Sequence, residues 1–396
     1  MRYNNYFEDK LNLIKSSGLS RTFRYLETAQ GSKVTIEGRE VILLGSNDYL
    51  GLCNDQRLKE ASYNAIDQFG CGAGGSRLTT GSYVLHKALE EALADFKGAE
   101  GSILFNSGYA ANVGAISAIT DSKWVVFSDK LNHASIVDGC VLSGAKMVRY
   151  KHGDMADLER KIVKFKSNHN LIITDGIFSM DGNAASLPEI VALAKAYDCM
   201  TMVDDAHGFG VLGKSGKGTV AYFAEKGEIS ETDIDIQMGT LSKAAGSVGG
   251  YVAGNRVLIE YLRNTARSFI FSTALPPGTL AASIKALEII KEDEEKRKAL
   301  FNKIEWFKNR LIEAGFKLTE TVTPIIPILV GDPVKTMEMS NRLLEDGIYA
   351  PGIRPPTVPK GTSRLRMSVT ASHSVEELEY ALERIIHHGR VMNLIG

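Results

Sequence analysis

A short apolar run that ends in acid constrains this chain more than any other stretch. Met200-Thr201-Met202-Val203 carries β-branched and apolar residues without alternation, the pattern of a strand buried on both faces of a parallel sheet. It stops at Asp204-Asp205-Ala206-His207-Gly208. Parallel strands need long crossovers, and open α/β sheets hold ligands beyond the carboxyl ends of their strands. Two carboxylates and an imidazole therefore arrive where such a sheet binds. A second short run at 234–238 reads as another strand and leads into Gly239-Thr240-Leu241-Ser242-Lys243.

The surrounding pattern agrees with a sheet of this kind. From about 56 to 290, β-rich runs at 102–105, 124–127, 146–149, 170–174, 200–204, 234–238 and 249–253 alternate with longer helical segments. This predicts an α/β fold with a large, mostly parallel central sheet and helices on both faces. Ahead of it, 6–29 reads as an amphipathic helix with Leu11, Ile14 and Leu19 on one side, then a basic stretch with Arg21 and Arg24. Residues 34–43 read as a hairpin turning at Gly38. From about 280 a long helix carries the charge run Lys291 to Lys298, read as a solvated face, into Phe301, Ile304 and Phe307. A strand at 325–330, a helix at 333–346, a strand at 364–369 and a helix from Ser374 predict a small α+β unit. With 396 residues, more than one domain is expected. The expected division is 1–50 for the N-terminal helix and hairpin, 51–285 for the large cofactor-binding domain, and 286–396 for the C-terminal α+β domain.

Composition excludes several classes. Hydrophobic residues at 44% and charged residues at 23% are ordinary for a soluble globular protein. A net charge of -1 supplies no basic field for nucleic acid or anionic membrane. Cys53, Cys71, Cys140 and Cys199 are scattered without C-x-x-C spacing, so neither a disulfide framework nor a zinc site is expected. Reduced thiols, no apolar run of ~18 residues and no signal-peptide core at the N-terminus lead to an expected cytoplasmic location.

Two glycine motifs invite other readings. Gly70-Cys71-Gly72-Ala73-Gly74-Gly75 satisfies the dinucleotide fingerprint, but a helical segment, 58–69, precedes it where a strand is required. Its glycines are read as letting a loop pass close to another backbone. Gly208 to Ser215 satisfies the phosphate-loop pattern and does follow a strand. This is the alternative from another class, a nucleotide binder. Yet Gly216 and Gly218 fall in what would be the first helical turn, at a cost of ~1 kcal/mol each, and the acidic pair would crowd the phosphates.

An acid, a hydroxyl and a lysine converging on one sheet edge suit pyridoxal 5′-phosphate. Lys243 would form a Schiff base, Asp204 would face the pyridine nitrogen and keep it protonated, and a hydroxyl of the Thr-Leu-Ser run before the lysine would reach the phosphate. Asn106-Ser107-Gly108-Tyr109 follows a strand and opens a helix whose free amides could take that phosphate. His133 sits at the same edge, where an imidazole can stack on a ring. No second histidine at ligand spacing accompanies His207, so no metal is expected.

Taken in order, Ser46 to Leu52, Gly74 to Gly81, Asn132 to Ser135, Phe178 to Gly182, Asp204 to Gly208, Gly239 to Lys243 and Phe271-Ser272-Thr273 resemble the fold-type I pyridoxal phosphate enzymes. More narrowly they resemble the α-oxoamine synthases, over about 18–388. The resemblance implies roles by position. Lys243, Asp204 and His133 would be catalytic. His207 would hold the ring hydroxyl, Ser179 would make a further cofactor contact, and Ser107, Gly108, Tyr109 and Thr240 would hold the phosphate. Ser272 and Thr273 would reach the phosphate from a neighbouring subunit, which implies a homodimer with shared sites. Arg366 would grip the amino-acid carboxylate, with Arg21, Asn47 and Thr357 on the substrate side. Asn183 departs from the family, which often carries an acid there. The run 353–366, with Arg354-Pro355-Pro356-Thr357-Val358-Pro359, resembles the biotin-pathway branch. That branch condenses L-alanine with a pimeloyl thioester, carried on CoA or a carrier protein, and releases CO2 and free thiol. The runner-up is the glycine acetyltransferase branch.

Overall fold

The computed structural model describes residues 3–16, 19–21 and 23–396. The predicted hairpin is present as β1 (Lys33–Ile36) and β2 (Arg39–Leu43). Seven strands then build the main sheet: β3 (Gly101–Phe105), β4 (Trp124–Asp129), β5 (Lys146–Tyr150), β6 (His169–Asp175), β7 (Met200–Asp204), β8 (Ile236–Thr240) and β9 (Gly250–Gly254). Their order is β3-β9-β8-β7-β6-β4-β5. From β5 to β8 all neighbours are parallel, whereas β9 runs antiparallel to both β8 and β3. The connection 241–249 is too short for a crossover helix, so the chain must turn straight back. The strand predicted at 234–238 starts instead at Ile236. Asp235 ahead of it turns its carboxylate onto the Thr201 amide and hydroxyl, at 2.8 and 2.9 Å.

Side chains along these strands alternate between two apolar layers, as a period of two requires. Val126, Ile173, Met202, Ile236 and Val252 pack against Ala111, Ala115 and Ile116 of the helix Gly108–Ile119. Val125, Phe127, Ile172 and Val203 pack on the other side against Leu187, Ile190 and Val191 of the helix Leu187–Tyr197. With both faces covered, the main sheet leaves its polar strand ends open to a ligand.

The C-terminal strands are β10 (Ile325–Gly331), β11 (Ile348–Tyr349), β12 (Gly352–Ile353) and β13 (Ser363–Ser368). β10, β13 and β12 form an antiparallel sheet, and β11 pairs in parallel with β2, so hairpin 33–43 shares a sheet with the C-terminal segment. The final helix, Val375–Val391, opens with a capping box between Ser374 and Glu377.

Two helix expectations need correction. The N-terminal helix is Asn4–Ser16, not 6–29, and none of its side chains is buried. Beyond it Leu26 bridges Ile36 and Glu27 N–H donates to the Thr35 carbonyl, so the later part is extended. Apolar spacing alone could not hold a longer helix without a surface to pack on. The predicted long helix after 280 is two, Pro277–Glu292 and Glu294–Glu313, because Asp293 caps the second through the Lys296 amide at 2.9 Å. Arg297 of the charge run is buried, donating to the Ile290 carbonyl. Among the described residues, no helix is long and apolar enough to cross a membrane.

Candidate active site

The ends of β6, β7 and β8 and the helix starts after β3 and β4 enclose a chamber of ≈220 Å³. Ser107, Gly108, Tyr109, His133, Ser179, Asp204, His207, Thr240 and Lys243 all line it. An adjoining outer cavity of ≈980 Å³ shares His133, Ser179, His207 and Lys243 and adds Asn47, Thr357 and Arg366.

Asp204 closes β7 and pairs in register with Asp175 at the end of β6. Its Oδ1 accepts from the Ala206 amide at 3.0 Å and its Oδ2 from Asn112 Nδ2 at 2.7 Å. Burial, then the neighbouring Asp204 charge, pushes Asp175 well above the usual carboxylate range. Lys243, half-buried in the chamber, senses the charges of both and of Arg366. Burial lowers its ammonium to about 8, against the opposing pull of Asp204 and Asp175. A lysine in this state carries a substantial fraction of neutral, nucleophilic amine near neutral pH.

His133 caps the helix Ala134–Ser143, its own N–H donating to Asp175 Oδ2 at 3.1 Å. Burial lowers its basicity, Lys243 adds to this, and Asp204 and Asp138 oppose it. His207 Nδ1 lies 2.7 Å from the Tyr49 hydroxyl. Burial, with the Lys243, Arg366 and His133 charges, holds it well below its ordinary value.

At the other end of the chamber Ser107 caps the helix Gly108–Ile119 through the Ala110 amide at 3.1 Å. The Gly108 and Tyr109 amides, in its first turn, have no internal partner among the described residues. A Cβ on Gly108 would stand 3.1 Å from Met238 and 3.3 Å from Thr240 Cβ, so glycine lets the helix start close on the Thr240 hydroxyl.

Arg366, buried on β13, is held by the Ser179 carbonyl at 2.6 Å, Asn47 Oδ1 at 3.0 Å and Ser368 Oγ at 3.2 Å. Its guanidinium is thus a fixed fork on the outer cavity wall. Arg364 beside it ties down the Ser179-bearing turn through Met180 O and Asp181.

Three predicted residues lie elsewhere. Arg21 is exposed and lines neither cavity; the preceding Ser20 carbonyl accepts from Arg354. Ser272 and Thr273 line neither cavity and sit against Asn106, whose Nδ2 donates to Ser272 Oγ at 2.8 Å. Conversely, Asn112, Ser135, Asp175 and Tyr49 hold the site together without having been singled out. Asp175 carries the same strand-end signal as Asp204. The others lie inside recognisable segments, but nothing local marks them.

Both glycine motifs serve the backbone. After 70–75 no helix begins, and Gly75 instead accepts the Ala274 amide at 3.0 Å. The segment 208–216 is a series of turns, with the next α-helix, Thr219–Ala224, starting later. A Cβ on Gly218 would lie 1.7 Å from Asp205 Oδ2, so this glycine leaves room for a carboxylate, not a phosphate.

A half-buried amine of lowered basicity, carboxylates, a flat imidazole wall, unpartnered helix-start amides and a hydroxyl fit a phosphorylated aromatic aldehyde. The comparisons with known proteins point the same way. The family model described as aminotransferase class I and II matches residues 39–385. The chain is 50% identical to an 8-amino-7-oxononanoate synthase of Geobacter sulfurreducens over 389 residues, 98% of each chain. It is 48% identical to another of that name from Thermoanaerobacter pseudethanolicus over 392 residues, again 98% of each. A solved structure of SPT with PLP superposes with a TM-score of 0.92 at 32% identity, covering 100% of this chain and 99% of that one.

Proposed function

From the premise that the chain belongs to the class I and II aminotransferase family, we propose that it is a pyridoxal 5′-phosphate enzyme of the 8-amino-7-oxononanoate synthase type. It condenses L-alanine with a pimeloyl thioester, releasing CO2 and free thiol, in biotin biosynthesis. The observation that carries this reading is a single chamber. In it the depressed Lys243 amine meets Asp204, His133 and His207, beside a cavity walled by Arg366.

Lys243 would hold the cofactor aldehyde, Asp204 its ring nitrogen, His207 its ring hydroxyl and His133 one ring face. Ser179 would add a further contact. Ser107, Gly108, Tyr109 and Thr240 would hold the phosphate. When bound, the cofactor supplies an electron sink for charge developing at the substrate Cα. The chain's own residues do the rest. Arg366 binds the alanine carboxylate through two parallel N–H donors and so orients the Cα bonds, with Asn47 steadying the fork. Lys243 Nζ, when free, takes the Cα proton and later returns one. His133, on the shared wall, donates a hydrogen bond to the ketone oxygen of the condensed substrate as the carboxylate departs. Thr357 and the prolines around it line the acyl side, a stiff wall with few donors.

The active assembly is a homodimer in which Ser272 and Thr273 of one subunit complete the phosphate site of the other. Exposed Tyr6, Phe7, Leu11, Leu13, Phe23 and Tyr25 support a second copy covering the N-terminal segment. Arg21, on that segment, would join the substrate side in the dimer. The enzyme works in the cytoplasm.

A steady-state comparison tests the reading. L-alanine with a pimeloyl thioester, offered on CoA and on a carrier protein, should exceed glycine with acetyl-CoA by at least ~tenfold in kcat/KM, equivalent to ~1.4 kcal/mol. The reverse order would replace it with the glycine acetyltransferase reading.

A further inference from the structure

Three neutral side chains link the two ends of this site. Asn112 is buried, and its Nδ2 lies 2.7 Å from Asp204 Oδ2 and 2.8 Å from Ser135 Oγ. Both of its hydrogens are therefore given away. The opposite amide orientation would set Oδ1 against a carboxylate oxygen, two acceptors in contact. The observed orientation holds although it leaves Asn112 Oδ1 buried without a partner, as expected where a bond to a charged acceptor outweighs a neutral one. Ser135 Oγ, fully buried, accepts from Asn112, so its single hydrogen is free for its other neighbour. That neighbour is His133 Nδ1 at 2.8 Å, which also receives the Ser135 amide hydrogen at 3.3 Å.

Two donors aimed at Nδ1 leave no room for a proton on it. We infer that Asn112 and Ser135 are positioning residues, forming a donor chain from Asp204 to His133 that fixes the imidazole as the neutral tautomer with its proton on Nε2. Nε2 has no protein partner among the described residues, and the ring lines both cavities. The nitrogen offered to the reacting groups is thus a hydrogen-bond donor, so a neutral His133 can stabilise a developing oxyanion while keeping its proton, which it could lose only by becoming an imidazolate. The groups facing the ring are Asp204, Lys243, Asp138 and His207, with Asp175 on its backbone amide. Protonating Nδ1 would oblige the Ser135 hydroxyl to reverse and would set the fixed Ser135 amide against another N–H. Burial disfavours the imidazolium in the same direction. One amide, Asn112, thereby orients the carboxylate meant for the cofactor ring and the tautomer of the histidine meant for its face.

This inference draws its catalytic meaning from the proposed function, but the tautomer is a property of the chain itself. The test is nitrogen NMR of the full-length protein labelled at its eight histidines, with cofactor bound and after its removal. His133→Gln identifies the His133 signals. The expected spectrum shows Nε2–H and a bare Nδ1 in both forms. Ser135→Ala should populate both tautomers and move the titration of His133 to higher pH. The acidic limb of the kcat profile should move with it. Asn112→Leu, which keeps the branched shape but not the donors, should loosen the tautomer in the same way. A proton on Nδ1 in the wild type overturns the inference, as does a Ser135→Ala protein with unchanged tautomer and titration. If Ser135→Ala does not fold, the wild-type spectrum alone decides. A wild-type Nε2–H tautomer in a chain that binds no pyridoxal phosphate would reject the proposed function and leave the donor chain standing.

Discussion

Asp204 and Asp205 are neighbours in sequence, and each has a lysine nearby, buried Lys97 for Asp205 and half-buried Lys243 for Asp204, yet they do opposite work. Asp205 is closed: Lys97 Nζ stands 3.2 Å from Oδ2, and Thr219 donates its amide to both oxygens at 3.0 Å and its hydroxyl to Oδ1. Both ion-pair partners are almost wholly out of solvent. Asp204 keeps its carboxylate in the chamber with two weakly committing neutral donors, and its lysine, Lys243, makes no salt bridge to it among the described residues. Saturation of donors and acceptors makes a structural clamp; leaving the amine and the carboxylate apart, each with capacity unused, makes a reactive site. The clamp braces the turn from which Asp204 and His207 project.

The contrast is broken most severely at Lys243. Lys243→Ala should abolish turnover and leave no cofactor that borohydride can fix to the chain, since among the described residues no other lysine lines the chamber. Lys97→Ala should retain fixable cofactor on whatever fraction folds. A borohydride-fixed chromophore in Lys243→Ala would remove the lysine from its assigned place. Next in size, Asp204→Asn should slow exchange of the alanine Cα hydrogen with solvent deuterium by a factor on the order of 10³, the scale of losing one preorganised electrostatic partner. Exchange at the wild-type rate would make Asp204 as structural as its neighbour.

What could be read in advance follows the range of the interactions involved. The strands of the main sheet were legible because burial on both faces leaves a continuous apolar run, and the acids and imidazoles at their ends were legible as breaks in it. The resemblance supplied the order of those breaks. The N-terminal helix was misjudged because apolar spacing does not say whether a surface exists to receive it. Asn112 is silent in sequence because its role is set by Asp204, 92 positions away. Tyr49 likewise gains meaning only from His207, 158 positions away. Asp175 looks like any strand-end acid until the β6–β7 register puts it beside Asp204.

The clamp side of the comparison predicts a loss of stability. Lys97→Met should lower the unfolding free energy by ~3–5 kcal/mol, because it strands Asp205 as a buried charge without its partner. The double variant Lys97→Met/Asp205→Asn should recover part of that loss, and urea titration of the three proteins measures the coupling. An additive double variant would mean that the two groups do not act as a pair. A smaller effect is expected at Arg366. Arg366→Ala should weaken L-alanine binding by about ten- to a hundredfold, as for one charged hydrogen-bonded pair, while saturation by the acyl thioester changes less. Spectral titration of the loaded protein with alanine reads the first, and thiol release reads the second.

The mildest test asks whether Lys243 really differs from an ordinary lysine. Its amine is lowered to about 8, with burial the leading cause. Burial acts against the charged form, so the neutral amine grows as pH rises through about 8, well below where a solvated lysine, at ~10.4, would lose its proton. Only the neutral amine can capture an aldehyde. Capture of pyridoxal phosphate by the cofactor-free chain, followed by stopped-flow absorbance, should therefore speed up about tenfold from pH 7 to pH 9 and then level off, since roughly a tenth of the amine is neutral at the lower pH and roughly nine-tenths at the higher. An unperturbed lysine would gain about a hundredfold over the same interval and still be climbing. Asp204→Asn removes a charge that raises the Lys243 value, so the midpoint should move lower and the tenfold rise should shrink. A midpoint unmoved by that substitution would mean that Asp204 and Lys243 do not sense each other across the chamber.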